Sequence, residues 1–318
     1  MKVWIALILL AGSVFGGELR LLCSTFPIFQ LTRNVVGERD SVSVKLLLPA
    51  ELGCPHDYVM TPRDIRRLTK ANALVLNGLG MEAFLTSTVQ RVNPELIMID
   101  SGAQVASLTV ETPHACASTS CDHDHRPQHH HHRAHKHDRE PTGPELNPHA
   151  WVSPIRYATA AATIAAELAK LDPAGGATYA ANAAAYAKRL DILQAKITTL
   201  AKSNMQREVV ADAQAFAYLG ADLGLSIVAE LPHGGDSSSA ADMRALLKTT
   251  EAHKPAAILT QPSGSRRLQK LLKRDASLPV LEVNLMSTGP IDAPLTHYET
   301  VMLKNLDALA HLLQSREP

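Results

Sequence analysis

LRLLCSTFPIFQLTRNVVGERDSVSVKLLL, residues 19–48, decides the fold. It opens on one β-rich run, LRLLCST, and closes on another, SVSVKLLL. Between them, PIFQLTRNVVG sets Ile28, Leu31 and Val35 at helical spacing, and Gly37 stops the helix. The alternation continues downstream. In TPRDIRRLTKA, Thr61 caps a helix, Pro62 takes its first position and Asp64 completes a capping-box-like start. NALVLNG and ELIMIDS read as third and fourth strands. Strands separated by helices predict a parallel sheet covered on both faces.

The pattern breaks at about Glu111, and the chain runs through Pro144 without core periodicity. Beyond it, NPHAWVSP leads into the Ala-rich helix IRYATAAATIAAELAKL and then a longer one, YAANAAAYAKRLDILQAKITTLAK. In the second, Ala183, Tyr186, Leu190, Leu193, Ile197 and Leu200 form one apolar stripe. A second αβ series starts at REVVAD, with strand-like runs in LSIVAEL, PAAILTQ and LPVLEVNL. Helices are expected in SAADMRALLKTTEAH and in the closing YETVMLKNLDALAHLLQ. The expected fold is α/β: two αβ sandwich lobes, each with a short parallel sheet, joined by a long rigid linking helix. The expected divisions are a signal peptide at 1–17, a first lobe at 18–173, the linking helix at 174–203 and a second lobe at 204–318. Ligands of such sheets sit beyond the carboxyl ends of the strands, which points to the cleft between the lobes.

Composition narrows the function. Lys plus Arg and Asp plus Glu number 31 each, so the chain lacks the basic excess of a nucleic-acid binder. The apolar share of 46% is enough for a sizeable core. MKVWIALILLAGSVFGGE has the Lys, short apolar run and small residues of a secretory signal, and no later run approaches a transmembrane length. A soluble, extracytoplasmic protein is expected, without lipidation, because Cys23 lacks the small residues of a lipobox. Of the four cysteines, Cys23 and Cys54 are candidates for a disulfide or for two buried thiols, while Cys116 and Cys121 flank a His tract.

The unusual residue is histidine, 15 in all, with nine between 114 and 137. Neutral imidazoles bind zinc, copper and nickel. A segment without core pattern pays ordering entropy when it binds, so the tract is read as an accessory that collects metal or senses its level. Two other histidines are held by proline and turn chemistry: His56 in CPHDYVMTP, leaving the second strand, and His149 in NPHAWVSP.

PHDYVMTPRDIRRLTKANALVLNGLGMEAFL, NPHAWVSP and YAANAAAYAKRLDILQAKI resemble the metal-binding solute-binding proteins of zinc and manganese ABC transporters. The resemblance runs through nearly the whole mature chain. It implies a divalent metal held in the cleft, a membrane permease as partner, and His56 and His149 as the first two ligands. A His-rich loop between them is typical of the zinc-binding members. The family's third ligand falls on Ala213, between Asp212 and Gln214, and its fourth, usually Asp, falls on Asn284. Gln214 and Asn284 are therefore candidate donors in a sphere looser than zinc prefers. His233, in LPHGGDSSS after a second-lobe strand, is a candidate relocated nitrogen ligand.

The resulting expectation is a monomeric binding protein that captures zinc, ahead of manganese, and docks to an ABC permease. The alternatives are an extracytoplasmic metal buffer or chaperone, and a zinc hydrolase. HExxH, GxSxG and a phosphate-cradling Gly loop are all absent from the sequence, which leaves a hydrolase without its base or nucleophile.

Overall fold

The computed structural model describes residues 17–52, 58–110, 145–203, 207–230, 240–262, 264, 269–270, 273–274 and 277–314. The expected signal segment, His56, Cys54, His233 and the His-rich tract with Cys116 and Cys121 lie outside them.

The first series runs β1 (Leu19–Cys23), α1 (Phe26–Val36), β2 (Val42–Leu46), α2 (Pro62–Lys70), β3 (Ala73–Leu76), α3 (Thr86–Val92) and β4 (Ile97–Asp100). Its four strands pair in parallel in the order β2-β1-β3-β4. Two helices follow, α4 (Pro154–Leu171) and the 28-residue α5 (Gly176–Ser203), which at helical rise is about 42 Å long. The second series is β5 (Arg207–Ala211), α6 (Phe216–Leu223), β6 (Leu225–Glu230), α7 (Ala240–His253), β7 (Ile258–Thr260), β8 (Val280–Glu282) and α8 (His297–Gln314). It repeats the topology, with parallel order β6-β5-β7-β8.

The central strands of each sheet are buried on both faces, and strand alternation shows how. In β1, Leu21 and Cys23 enter the main core while Leu22 joins an outer cluster with Leu68 of α2 and Val89 of α3. In β5, Val209 and Ala211 face the main core while Val210 meets Leu246 of α7. Double coverage is the condition under which an all-parallel sheet is stable. The main core is continuous through α1, α4, α5, α6 and α8. The α5 stripe is buried from Tyr179 through Ala183, Tyr186, Leu190, Leu193 and Ile197 to Leu200.

The segment before α8 returns to the first series. Arg33 Nη1 donates to the Ala293 carbonyl at 2.7 Å and Asn34 Nδ2 to that of Leu295 at 3.0 Å. Tyr298 Oη donates to the Trp151 carbonyl at 2.7 Å, and Arg189 on α5 pairs with Glu299 at 2.6 Å.

In both sheets the chain reverses its direction of strand addition beside the first strand, so the switch points lie between β1 and β3 and between β5 and β7. A carboxylate sits at each. Glu82 accepts from Ser24 Oγ (2.6 Å), Asn77 N (2.7 Å) and Gly78 N (3.1 Å). Asp212 accepts from Thr260 Oγ and from Gln261 N (2.8 Å).

Candidate metal centre

His149 is delivered by a short, heavily bonded stretch. The chain leaves the first sheet after β4, and a bridge joins Thr109 to Leu146, with Val110 N donating to the Glu145 carbonyl at 2.8 Å. Asn147 follows, 2% exposed, and then Pro148, whose carbonyl accepts from Asn77 Nδ2 at 2.8 Å. His149 itself is partly buried and caps a 3-10 turn, Ala150–Val152. Its ring stacks at a tilt on Trp151, centroids 5.2 Å apart.

Asn147 fixes the chemistry of that ring. Its Nδ2 donates to the Gln214 carbonyl at 2.9 Å, which orients the amide and leaves Oδ1 toward His149. Oδ1 lies 3.1 Å from His149 N and 2.9 Å from His149 Nδ1. An amide oxygen only accepts, so in the neutral imidazole this contact places the proton on Nδ1 and makes Nε2 the basic nitrogen. This is the arrangement that prepares a histidine for a metal.

The same stretch ties His149 to the other two candidate loops. Besides the Asn147–Gln214 bond, Trp151 Nε1 donates to the Leu285 carbonyl at 2.8 Å, next to Asn284. Tyr218 Oη donates to the Asn147 carbonyl at 2.7 Å and accepts from Leu108 N at 3.0 Å. The structure thus brings the loops of His149, Gln214 and Asn284 together.

Gln214 is partly exposed on the turn leaving β5, while Ala213 packs against the core and offers no donor. Asn284 lies two residues past β8 and is held hard. Asn305 brackets its backbone, donating to its carbonyl at 2.7 Å and accepting from its N–H at 3.1 Å. The Asn284 Oδ1 accepts from Met286 N at 2.9 Å, a turn in which Met286 takes φ 62°. One lone pair of that oxygen is therefore already engaged.

Asp212 is a donor that the motif reading passes over. Its Oδ2 is bonded across the β5–β7 switch point, but its Oδ1 is buried with no hydrogen-bond partner among the described residues. Burial pushes this carboxyl above the usual range, against hydrogen bonds from Thr260 and Gln261. An acid on the last residue of REVVAD, at a strand's carboxyl end, was the available signal. Among the described residues no three His, Cys, Asp or Glu side chains come together. A complete metal sphere on this framework needs an amide, a water or a ligand from beyond them.

Of the two alternatives open for Cys23, the structure shows the buried thiol: it is free, has no exposed surface, and burial pushes its pKa up to about 12, while Cys54 lies outside the described residues.

The family described as zinc-uptake complex component A, periplasmic, matches residues 21–312. The zinc-binding protein AdcA of Streptococcus pyogenes serotype M3 is 26% identical over 299 residues, covering 92% of this chain and 56% of its own length. This chain therefore spans little more than half of that relative. The high-affinity zinc uptake system protein ZnuA of Bacillus subtilis is 26% identical over 298 residues, covering 92% of this chain and 87% of that protein. Among solved structures, the solute-binding protein FpvC of Pseudomonas aeruginosa in complex with Mn2+ superposes with TM-score 0.76 at 26% identity, covering 94% of this chain and 99% of that one. Zn(II)-bound AdcA of Streptococcus pneumoniae shares the fold, with TM-score 0.73 at 23% identity over 95% of this chain and 59% of its own. The chain belongs to the ZnuA family, the periplasmic component A of zinc-uptake complexes.

Proposed function

We propose that the protein captures a divalent metal, zinc ahead of manganese, outside the cytoplasm and delivers it to the permease of an ABC transporter. The observation that carries this reading is His149, whose ring is held at Nδ1 by Asn147 Oδ1, the backing that orients a metal-binding imidazole. Family membership supports the metal and the transporter, and the zinc-binding relatives support the choice of zinc. No described helix is long and apolar enough to cross a membrane.

The proposed sphere is His56 and His149 as nitrogen donors, with Gln214, Asn284 and the free oxygen of Asp212 as the oxygens within reach of the same loops. His233 is a further nitrogen donor. The proposed division is a first lobe at 18–173, a helix at 174–203 and a second lobe at 204–318, acting as a monomer. Catalytic residues are not part of this reading.

Equilibrium dialysis of the chain lacking residues 114–138 tests it. One equivalent of zinc should be retained against an equal concentration of manganese, with affinity falling as pH drops through about 6.5, where protons compete for imidazole. Retention of neither metal would overturn the reading, and displacement of zinc by equal manganese would overturn the preference.

A further inference from the structure

On the outer face of the first sheet lies a second pocket, unrelated to the His149 loops. Its volume is about 270 Å³ and its lining is dominated by cations. Arg63, Arg66, Arg67 and Lys70 line it from α2. Their spacing of three, four and seven residues puts them in one stripe, about 10 Å long. Lys45 of β2 and Arg20 of β1 face that stripe. The pocket lies where α2 packs over β1 beside the edge strand β2. The lining includes Leu21, Leu22 and Ala71, so the cations stand over apolar material that focuses their field.

The charge is mostly uncompensated among the described residues. Arg20 Nε donates to the Lys70 carbonyl at 2.6 Å, and Arg67 Nη1 to the carbonyls of Leu47 (2.8 Å) and Leu46 (3.2 Å). Backbone oxygens thus position two guanidiniums without neutralising them. Among the described residues the one carboxylate in ion-pair reach of these six cations is Asp64, 3.8 Å from Arg67. Six like charges around one small cavity repel each other until an anion enters. Four of the six are arginines, whose planar forks match phosphate oxygens in pairs. A singly charged anion leaves most of the stripe unanswered, and a long nucleic acid fits neither the volume nor a chain of zero net charge.

We propose that this pocket is a binding site for a compact, multiply charged phosphate group, either a soluble oligophosphate or the headgroup of an anionic lipid. It stands independently of the metal reading. The test uses the full-length, metal-free chain at low salt and about pH 8, where the His tract is neutral. Tripolyphosphate is titrated by calorimetry, and vesicles of the doubly charged cardiolipin in phosphatidylcholine are tested by co-sedimentation. Each is repeated on Arg63→Gln/Arg66→Gln/Lys70→Gln, three exposed side chains whose loss should leave the unfolding midpoint nearly unchanged. The expected result is saturable binding of one equivalent, weakened by salt and reduced about tenfold or more in the variant, with zinc binding unaltered. Binding to tripolyphosphate without sedimentation assigns the soluble anion; variant-sensitive sedimentation assigns the headgroup. If the triple variant fails to fold, Lys45→Gln with Arg63→Gln takes its place. Saturable binding to neither probe, or binding that the variants leave unchanged, would overturn the site.

Discussion

At the scale of the residue, Asn147 holds the most consequence. One side chain orients the His149 ring and joins it to the Gln214 carbonyl. Asn147→Ala should weaken zinc binding about tenfold or more, as losing a partner behind a metal-binding histidine does. Competition with a chelating dye measures this, and unchanged affinity would mean that the ring needs no such partner. Glu82 gives a second expectation. It is 6% exposed, and burial pushes its carboxyl up to about 7, against the hydrogen bonds from Ser24, Asn77 and Gly78. A folded pKa above the ordinary 4.5 stabilises the fold below that ordinary value, and the contribution is lost as pH rises through about 7. Glu82→Gln carries no titrating proton, so wild type should lose ground to it in urea midpoint between about pH 5 and about pH 8. Parallel pH dependences would contradict this. The held turn around His149 was legible in NPHAWVSP because proline and turn residues act locally. Asn147 was not, since its decisive bond reaches Gln214, 67 residues away.

At the scale of the element, the local signals in the sequence had local causes. Thr61, Pro62 and Asp64 form the capping box expected of them: Thr61 Oγ1 accepts from Asp64 N, and Asp64 Oδ2 accepts from Thr61 N at 2.9 Å. Thr61→Ala should therefore cost about 1 kcal/mol in denaturant unfolding. An unchanged midpoint would show that Tyr58, which also donates to Asp64, suffices to hold the turn. The α5 stripe was readable for the same reason, since period alone marks a buried face. Other elements left weaker traces. α3 is TSTVQRV, rich in β-branched residues that disfavour a helix, and its position rests on packing over the outer cluster. α6 has eight residues, and the edge strand β8 shrinks to three from the longer apolar run LPVLEVNL. Strand length there depends on the single neighbour β7, which no local pattern records.

At the scale of the whole molecule, alternating strands and helices were enough to reveal two parallel sheets. The return of the segment before α8 onto α1 was not legible, because its bonds from Arg33 and Asn34 span about 260 residues. The His-rich tract, outside the described residues, leaves and rejoins the fold at one place: Val110 and Glu145 are hydrogen-bonded, and Asn147 N donates to the Leu108 carbonyl at 2.7 Å. The described residues that flank it are thus already held together. Deleting residues 114–138 should preserve cooperative thermal unfolding and remove only the weaker metal equivalents. Loss of cooperativity would show that the tract supports the lobes. The central claim is a metal site built on His56 and His149, and calorimetric zinc titration of that deleted chain tests it most directly. With both histidines present, one tight equivalent is expected, and His56→Ala/His149→Ala should abolish it. A tight stoichiometric site that survives the double substitution would contradict the account.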